Sequence, residues 1–313
     1  MLAVAIEDGA PAVVERPEPE PEYGHILIAM RAAGLNAADL LQAQGRYPAP
    51  PGAPRDLLGL EVAGEVAAVG PGVSRWKVGD AVMTLVGGGG QAELVEVHER
   101  LALPVPERFG WEQAGGFTEV YTTAFDALFS QCGLKPAERL CVHGAAGGVG
   151  MAAVQLGLAS GARVTATVRR ADNRPAVAAL GAEVVAPEDF RHRGPFDVIL
   201  ELVGGPNLQA DVESLAECGR ISVIGLGAGA RAEVDLRHLM SSRGSIMGST
   251  LRARSLEERA LAARKVEAHV LPLAAKGIVK VPVFASYRLT EAPAAYADFA
   301  AGGKIGKIVL VSR

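Results

Sequence analysis

Residues Cys141–Gly161 read CVHGAAGGVGMAAVQLGLASG. A short apolar run enters a turn holding Gly144, Gly147, Gly148 and Gly150, and an apolar helical pattern follows. A backbone so bare of side chains can approach a phosphate. The start of the following helix adds unpaired N–H groups and the positive end of a dipole. Strand, glycine turn, helix is the context that a dinucleotide-binding turn requires, although such turns also arise for packing alone. Two registers fit: Gly148, Gly150 and Ala153 as G-x-G-x-x-A, or Ala145, Gly147 and Gly150 as A-x-G-x-x-G.

From Leu140 to Ala162 there is no Asp, Glu, Lys or Arg, about the length of a membrane span. His143, Gln155, Ser160 and the glycines argue against one, because a strand and turn cannot satisfy their backbone in lipid. Around this stretch, from about residue 119 to 250, apolar strands alternate with helical segments: LCVHG, RVTATV, VVA, FDVILELVGG and RISVIGLG, with MAAVQLGLASG, AVAALGAE and NLQADVESLAECG between them. That alternation predicts a parallel sheet covered on both faces. Asn207 is expected to cap a helix, and Gly161, Gly181 and Gly219 to close helices in the left-handed conformation. Before about Pro106 the chain is made of short runs such as HILIAM, EVAGEVAAV and AELVEV between Gly, Pro and Asp turns, the pattern of a β-rich domain. After Glu257 comes a helical run, EERALAARKVEAHVLPLAAKG, and then KIGKIVLV, a strand with no partner nearby in sequence. If that strand returns to the first domain, the nucleotide domain is an insertion. The expected division is residues 1–118 plus 258–313, with 119–257 as the dinucleotide-binding domain.

Composition sets the outer bounds. At 313 residues two domains are the natural expectation, and 49% hydrophobic against 21% charged residues places the chain among globular proteins. A net charge of −4 gives no basic field for nucleic acid or an anionic membrane, so any anion site must be built locally. Cys132, Cys141 and Cys218 are odd in number and far apart, which fits buried thiols in a reducing cytosol. Glu7 and Asp8 stand where a signal peptide would carry Lys or Arg. The expectation is a cytoplasmic protein.

Two further glycine clusters compete with the first. GLGAGA, Gly225–Ala230, follows a strand but lacks an apolar helix behind it, and is read as a neighbouring loop; GGGG, Gly87–Gly90, is read as a hairpin or bulge. After RVTATV, where an acid would hold the ribose hydroxyls of NAD, stand Arg169 and Arg170. Two guanidiniums there can pair with a 2'-phosphate, which favours NADPH over a solvated pair at a loop tip. The six histidines show no zinc-like spacing with each other or with cysteine, and no G-x-S-x-G elbow is present. Hydride transfer is the chemistry left.

The motifs GLNAAD, GLEVAGEVAAVGPGVSRWKVGDAV, HGAAGGVGMAAVQL and GKIVL resemble those of the medium-chain dehydrogenase/reductase superfamily, over essentially the whole chain. Within it the chain resembles the zinc-free quinone reductases related to zeta-crystallin, in the branch of the tumour-suppressor-inducible quinone reductase, through GSTLRAR and HVLPLAAKGIVK. The resemblance implies a Rossmann doubly wound parallel sheet inserted into a β-rich GroES-like catalytic domain. Zinc-dependent relatives carry Cys at the position of Asn36 and His at that of Leu60, so no metal is expected. The resemblance also implies site roles. Tyr47 would donate to a substrate oxygen and Asn36 would orient substrate or cofactor. Thr123 would contact the nicotinamide side, while Gly147, Gly148, Val149 and Gly150 would hold pyrophosphate. Gly225, Leu226 and Gly227 would border the nicotinamide ribose, and it favours the register through Ala145, Gly147 and Gly150. Implied partners are a small quinone or enone and a second copy or more, as homodimer or homotetramer. Fold resemblance alone also admits an NADPH-binding protein with little turnover.

Overall fold

The computed structural model describes residues 1–312. The chain divides into two compact units, Met1–Glu119 with the segment from Leu251 onward, and Val120–Thr250 between them. The second crossing lies before Leu251 rather than after residue 257, because Leu251 and Arg252 are buried in the first unit.

The first seven strands are β1 (Leu2–Glu7), β2 (Ala10–Glu15), β3 (His25–Gly34), β4 (Glu61–Val69), β5 (Ala81–Leu85), β6 (Leu94–His98) and β7 (Ala102–Pro104). The inserted unit supplies β8 (Arg139–Val142), β9 (Arg163–Thr167), β10 (Glu183–Val185), β11 (Phe196–Glu201), β12 (Leu215–Val223) and β13 (Ser245–Gly248). The return segment supplies β14 (Val283–Arg288) and β15 (Lys307–Val311).

In the first unit the sheet order is β14-β15-β3-β4-β5-β7, with β6 on β3, and β1 pairs β2 separately. Strand β15 lies antiparallel to β3 through Val309↔Gly34 and its neighbours, so the late strand KIVLV closes on the first domain. The core gathers Ile26, Ile28, Val62, Val66, Val82, Ile308 and Leu310 under Tyr296 of the helix Ala292–Ala301. Gly87–Gly90 is not the expected hairpin: β5 pairs β4 and β7, whereas β6 pairs β3. The glycines instead cross the backbone of residues 57–61, with Gly89 N–H on Leu57 O and Gly90 N–H on Gly59 O.

In the inserted unit the order is β10-β9-β8-β11-β12-β13, every pair parallel. Counted along the insert this is 3-2-1-4-5-6, the order of a dinucleotide-binding sheet, whose switch point lies between β8 and β11. The sixth strand, Ser245–Gly248, has no counterpart among the sequence expectations. Gly161 and Gly181 take positive φ after their helices as expected. Gly219 does not. The helix Leu208–Glu213 stops early, Leu215–Val223 is a strand, and Cys218 takes the left-handed φ instead. Asn207 precedes that helix without capping it, because its amide donates to Glu201. Cys132 and Cys141 are buried free thiols, but Cys218 is exposed. No helix among the described residues is long and apolar enough to cross a membrane.

Candidate active site

In the inserted unit the candidate residues stand at the C-terminal ends of the parallel strands. The apolar helix Gly148–Ala159 starts directly after β8, and Gly147 is its N-cap in extended conformation. Met151 N–H is the first to bond back, to Gly147 O at 2.8 Å. The N–H groups of Gly148, Val149 and Gly150 therefore precede the ladder and face outward from the helix start. A Cβ on Gly150 would lie 2.6 Å from both Ala145 Cα and Gly144 O. Helix and turn thus touch backbone to backbone through Gly150, the packing role of a third glycine, whereas a Cβ on Gly147 would meet only Gly144 O at 3.5 Å. This geometry matches the register through Ala145, Gly147 and Gly150.

Gly225, Leu226 and Gly227 follow β12. Gly225 N–H bonds Glu201 O at 3.1 Å, and a Cβ there would collide with Leu202 O. Leu226 is half exposed and nothing lies within 4 Å of a Cβ built on Gly227. The loops after β8, β11 and β12 therefore share one edge, with Gly144 against Leu202 and Val203. Arg169 and Arg170 follow β9 at the same edge, both exposed, while Val168 between strand and arginines is buried. Arg174, which carries no mark in the sequence, donates to Val168 O at 3.1 Å and adds a third guanidinium to that turn. Thr123 lies half-buried in the helix Thr118–Phe125.

Beneath the turn is a buried polar group that the sequence did not announce. His143, the last residue before Gly144, places Nε2 2.9 Å from Asp211 Oδ1 and Nδ1 3.0 Å from Thr167 Oγ1. Glu201 accepts the N–H groups of Val203 and Gly204 and the Asn207 amide. Burial opposes charge on His143, but Cys141 and Asp211 outweigh it and raise its pKa well above the usual imidazole value. His143, Glu201 and Asp211 have the spacing of metal ligands. The hydrogen bonds of His143 to Asp211 and Thr167, and of Glu201 to its own loop, already account for the arrangement.

In the first unit, Asn36 and Tyr47 flank one short helix. Asn36 precedes Ala37–Ala43, and its N–H bonds Asp39 Oδ2 at 2.8 Å. Its amide is fully engaged: Oδ1 accepts Lys307 Nζ at 2.6 Å, and Nδ2 donates to Glu61 Oε1 at 3.1 Å and more weakly to Gly34 O. That engagement leaves Asn36 holding its neighbours in place rather than presenting a free amide. Lys307 Nζ pairs with Glu61 Oε1 at 2.6 Å, with both side chains buried, and also donates to Leu35 O. Glu61 Oε2 accepts Glu119 N–H at 2.9 Å. Gly34 makes room for the pair, since a Cβ there would collide with Glu61 Oε1.

Asp39 is fully buried; burial pushes its carboxyl up to about 6, with Asn36 N–H and Lys307 acting against the rise. A raised carboxyl contributes stability below its unfolded value near 3.8, and that contribution is lost as pH rises through about 6. We therefore expect unfolding free energy to fall by about 3 kcal/mol between these limits. Asp39→Asn should remove most of that slope in urea titrations run from pH 4 to 7.5.

Tyr47 lies half-buried in the loop after the helix. Arg252 sits over its ring at 5.1 Å and donates to its carbonyl at 2.9 Å.

The family model described as the alcohol dehydrogenase GroES-like domain matches residues 22–129, and that described as zinc-binding dehydrogenase matches residues 148–266. A quinone oxidoreductase of Rattus norvegicus is 31% identical over 332 residues, covering 99% of this chain and 98% of the relative. The chain belongs to the medium-chain dehydrogenase/reductase superfamily. Its fold is accordingly the GroES-like domain with an inserted Rossmann sheet. A second relative is polyketide synthase GfsB of Streptomyces halstedii, 34% identical over 297 residues, which are 92% of this chain but 5% of the synthase. Among solved structures, an alcohol dehydrogenase superfamily protein from Novosphingobium aromaticivorans matches with TM-score 0.88 at 27% identity, covering all of both chains. Mycobacterial Rv1454c complexed with NADPH matches with TM-score 0.87 at 28% identity, covering 99% of this chain and 100% of that one.

The zinc named in the second model's description finds poor donors at the positions that the superfamily's zinc-dependent members use for it. At the positions where zinc-dependent members of the superfamily carry Cys and His stand Asn36, with its amide spent, and Leu60, a buried hydrocarbon, while Lys307 already places a positive charge on Glu61. A nicotinamide nucleotide fits the inserted unit better: a helix start with an open glycine face and a turn of three arginines supply donors for pyrophosphate and for a further phosphate.

Proposed function

We propose that the chain is an NADPH-dependent, zinc-independent reductase that passes hydride to a quinone or a similar conjugated carbonyl. The observation that carries the cofactor choice is the turn after β9, where Val168 is buried and Arg169 and Arg170 are exposed beside Arg174. No carboxylate stands at the strand end to bond a ribose diol, and guanidiniums suit a phosphate. The likenesses to a quinone oxidoreductase and to a protein complexed with NADPH support the same reading.

When bound, the nucleotide supplies hydride. The N–H groups of Gly148, Val149 and Gly150 would hold its pyrophosphate, and Gly225, Leu226 and Gly227 in the loop after β12 would border its ribose. Tyr47 donates its hydroxyl proton toward the acceptor oxygen. A quinone needs no Lewis acid for this, because the charge it gains is delocalised and a phenol can neutralise it. The likeness to a segment of a polyketide synthase supports a second reading, in which hydride adds to the β-carbon of an enone.

Replacing Arg169 and Arg170 together by Ser tests the cofactor assignment. Without two charge-assisted hydrogen bonds to the phosphate, kcat/KM for NADPH should drop on the order of 100-fold, with NADH nearly unaffected. An unchanged NADPH-to-NADH ratio sinks it.

A further inference from the structure

Arg252 is an unusual cation. It is 6% exposed, and its three hydrogen bonds all go to neutral oxygens: Nε to Gly87 O at 2.7 Å, Nη1 to Tyr47 O at 2.9 Å, and Nη2 to Gln42 Oε1. Gln42 in turn donates to Arg55 O and Leu57 O. One guanidinium therefore ties the end of the helix Ala37–Ala43, the Tyr47 loop and the glycine loop into one body. Burial lowers its pKa, while Tyr47 and Asp39 favour its charge. A buried charge is expensive unless something nearby gains from it. The group against it that can gain is the Tyr47 ring, 5.1 Å from the guanidinium carbon.

We infer that Arg252 is a positioning residue for the reaction: it holds the Tyr47 loop, and its buried charge favours the phenolate that forms when Tyr47 gives up its proton. The inference rests on Tyr47 as the proton donor. During turnover the O–H bond of Tyr47 breaks as an O–H bond forms on the acceptor oxygen. Hydride from the nucleotide supplies both electrons, and water returns the proton to the phenolate. A cation over a phenol ring attracts it, and attracts the anionic ring more strongly. The other titratable group that Arg252 feels is Asp39, in the first turn of the helix Ala37–Ala43. It is common to every variant below, so differences between variants isolate the Arg252–Tyr47 pair.

The test is the pH profile of kcat with 1,2-naphthoquinone and NADPH for wild type, Arg252→Met, Arg252→Lys, Tyr47→Phe and the Met/Phe double variant. Arg252→Met should move the basic limb upward by about one pH unit and lower kcat at neutral pH about tenfold. Arg252→Lys should restore the limb. In the Tyr47→Phe background the Met substitution should change kcat less than about threefold, because the group it acts through is gone. Equal losses with and without the Tyr47 hydroxyl overturn the inference and leave Arg252 a loop clamp. An unchanged kcat in Tyr47→Phe overturns it differently, by removing the proton donor it rests on. Should Met at 252 prevent folding, the phenolate absorbance of Tyr47, taken as wild type minus Tyr47→Phe, carries the test on folded protein. A shift of that onset between wild type and Arg252→Gln supports the inference, and an unchanged onset overturns it.

Discussion

Lys307→Met is expected to destabilise the protein by about 3–5 kcal/mol, the loss typical when one partner of a buried ion pair is removed. Glu61 would remain, 0% exposed, with only the Asn36 amide, Thr118 hydroxyl and Glu119 N–H to replace water. Asn36 would also lose the donor at its Oδ1. The loss therefore comes from a stranded carboxylate more than from a missing attraction. Lys307→Met combined with Glu61→Gln should recover much of the stability, since removing both charges is often near neutral. Denaturation midpoints in urea measure both variants. A single-variant loss below about 1 kcal/mol, the range of exposed pairs, would mean that the pair is not desolvated as described.

The second large effect concerns two glycines that look equivalent in sequence. Gly150→Ala places a methyl 2.6 Å from Ala145 Cα and Gly144 O, which are backbone and cannot swing away. The turn must shift, and its N–H groups lose their aim. Gly147→Ala meets only an ordinary contact at 3.5 Å, but its methyl projects where a phosphate would approach. Losing two hydrogen bonds to an anion weakens binding on the order of 100-fold or more. Both variants should therefore bind NADPH poorly by titration calorimetry, with Gly150→Ala also less stable and Gly147→Ala as stable as wild type. Wild-type affinity in Gly147→Ala would remove the turn from the nucleotide site.

The difference between those glycines shows where sequence reading stops. The strand–turn–helix at Cys141–Gly161 is legible because each signal is local: apolar run, glycines, apolar helix. The return of KIVLV to β3 is legible from a strand left without a neighbour. The sixth strand, Ser245–Gly248, is not, since it carries little apolar pattern and exists by pairing with β12. The GGGG loop looks like a hairpin in sequence, but its flanking strands pair with others far along the chain. The helical pattern from Leu208 promises a longer helix than forms, because strand pairing to Phe196 takes the chain over at Leu215. In the candidate site, Arg252 and Lys307 stand inside the motifs GSTLRAR and GKIVL, but their partners Tyr47 and Asn36 lie 205 and 271 residues away in sequence. A lone basic residue carries no local mark of such a partner. His143 is visible beside the glycines, but nothing in the helical segment NLQADVESLAECG marks Asp211 as its partner.

We propose that reduction here runs on a nicotinamide nucleotide and the chain's own side chains. Chelator-treated protein, its zinc content verified, should oxidise NADPH when 1,2-naphthoquinone, 1,4-benzoquinone or a 2-alkenal is added, with kcat/KM for NADPH exceeding that for NADH by at least tenfold. Binding of NADPH without turnover on any of these acceptors, or activity that returns only with stoichiometric zinc, would contradict it.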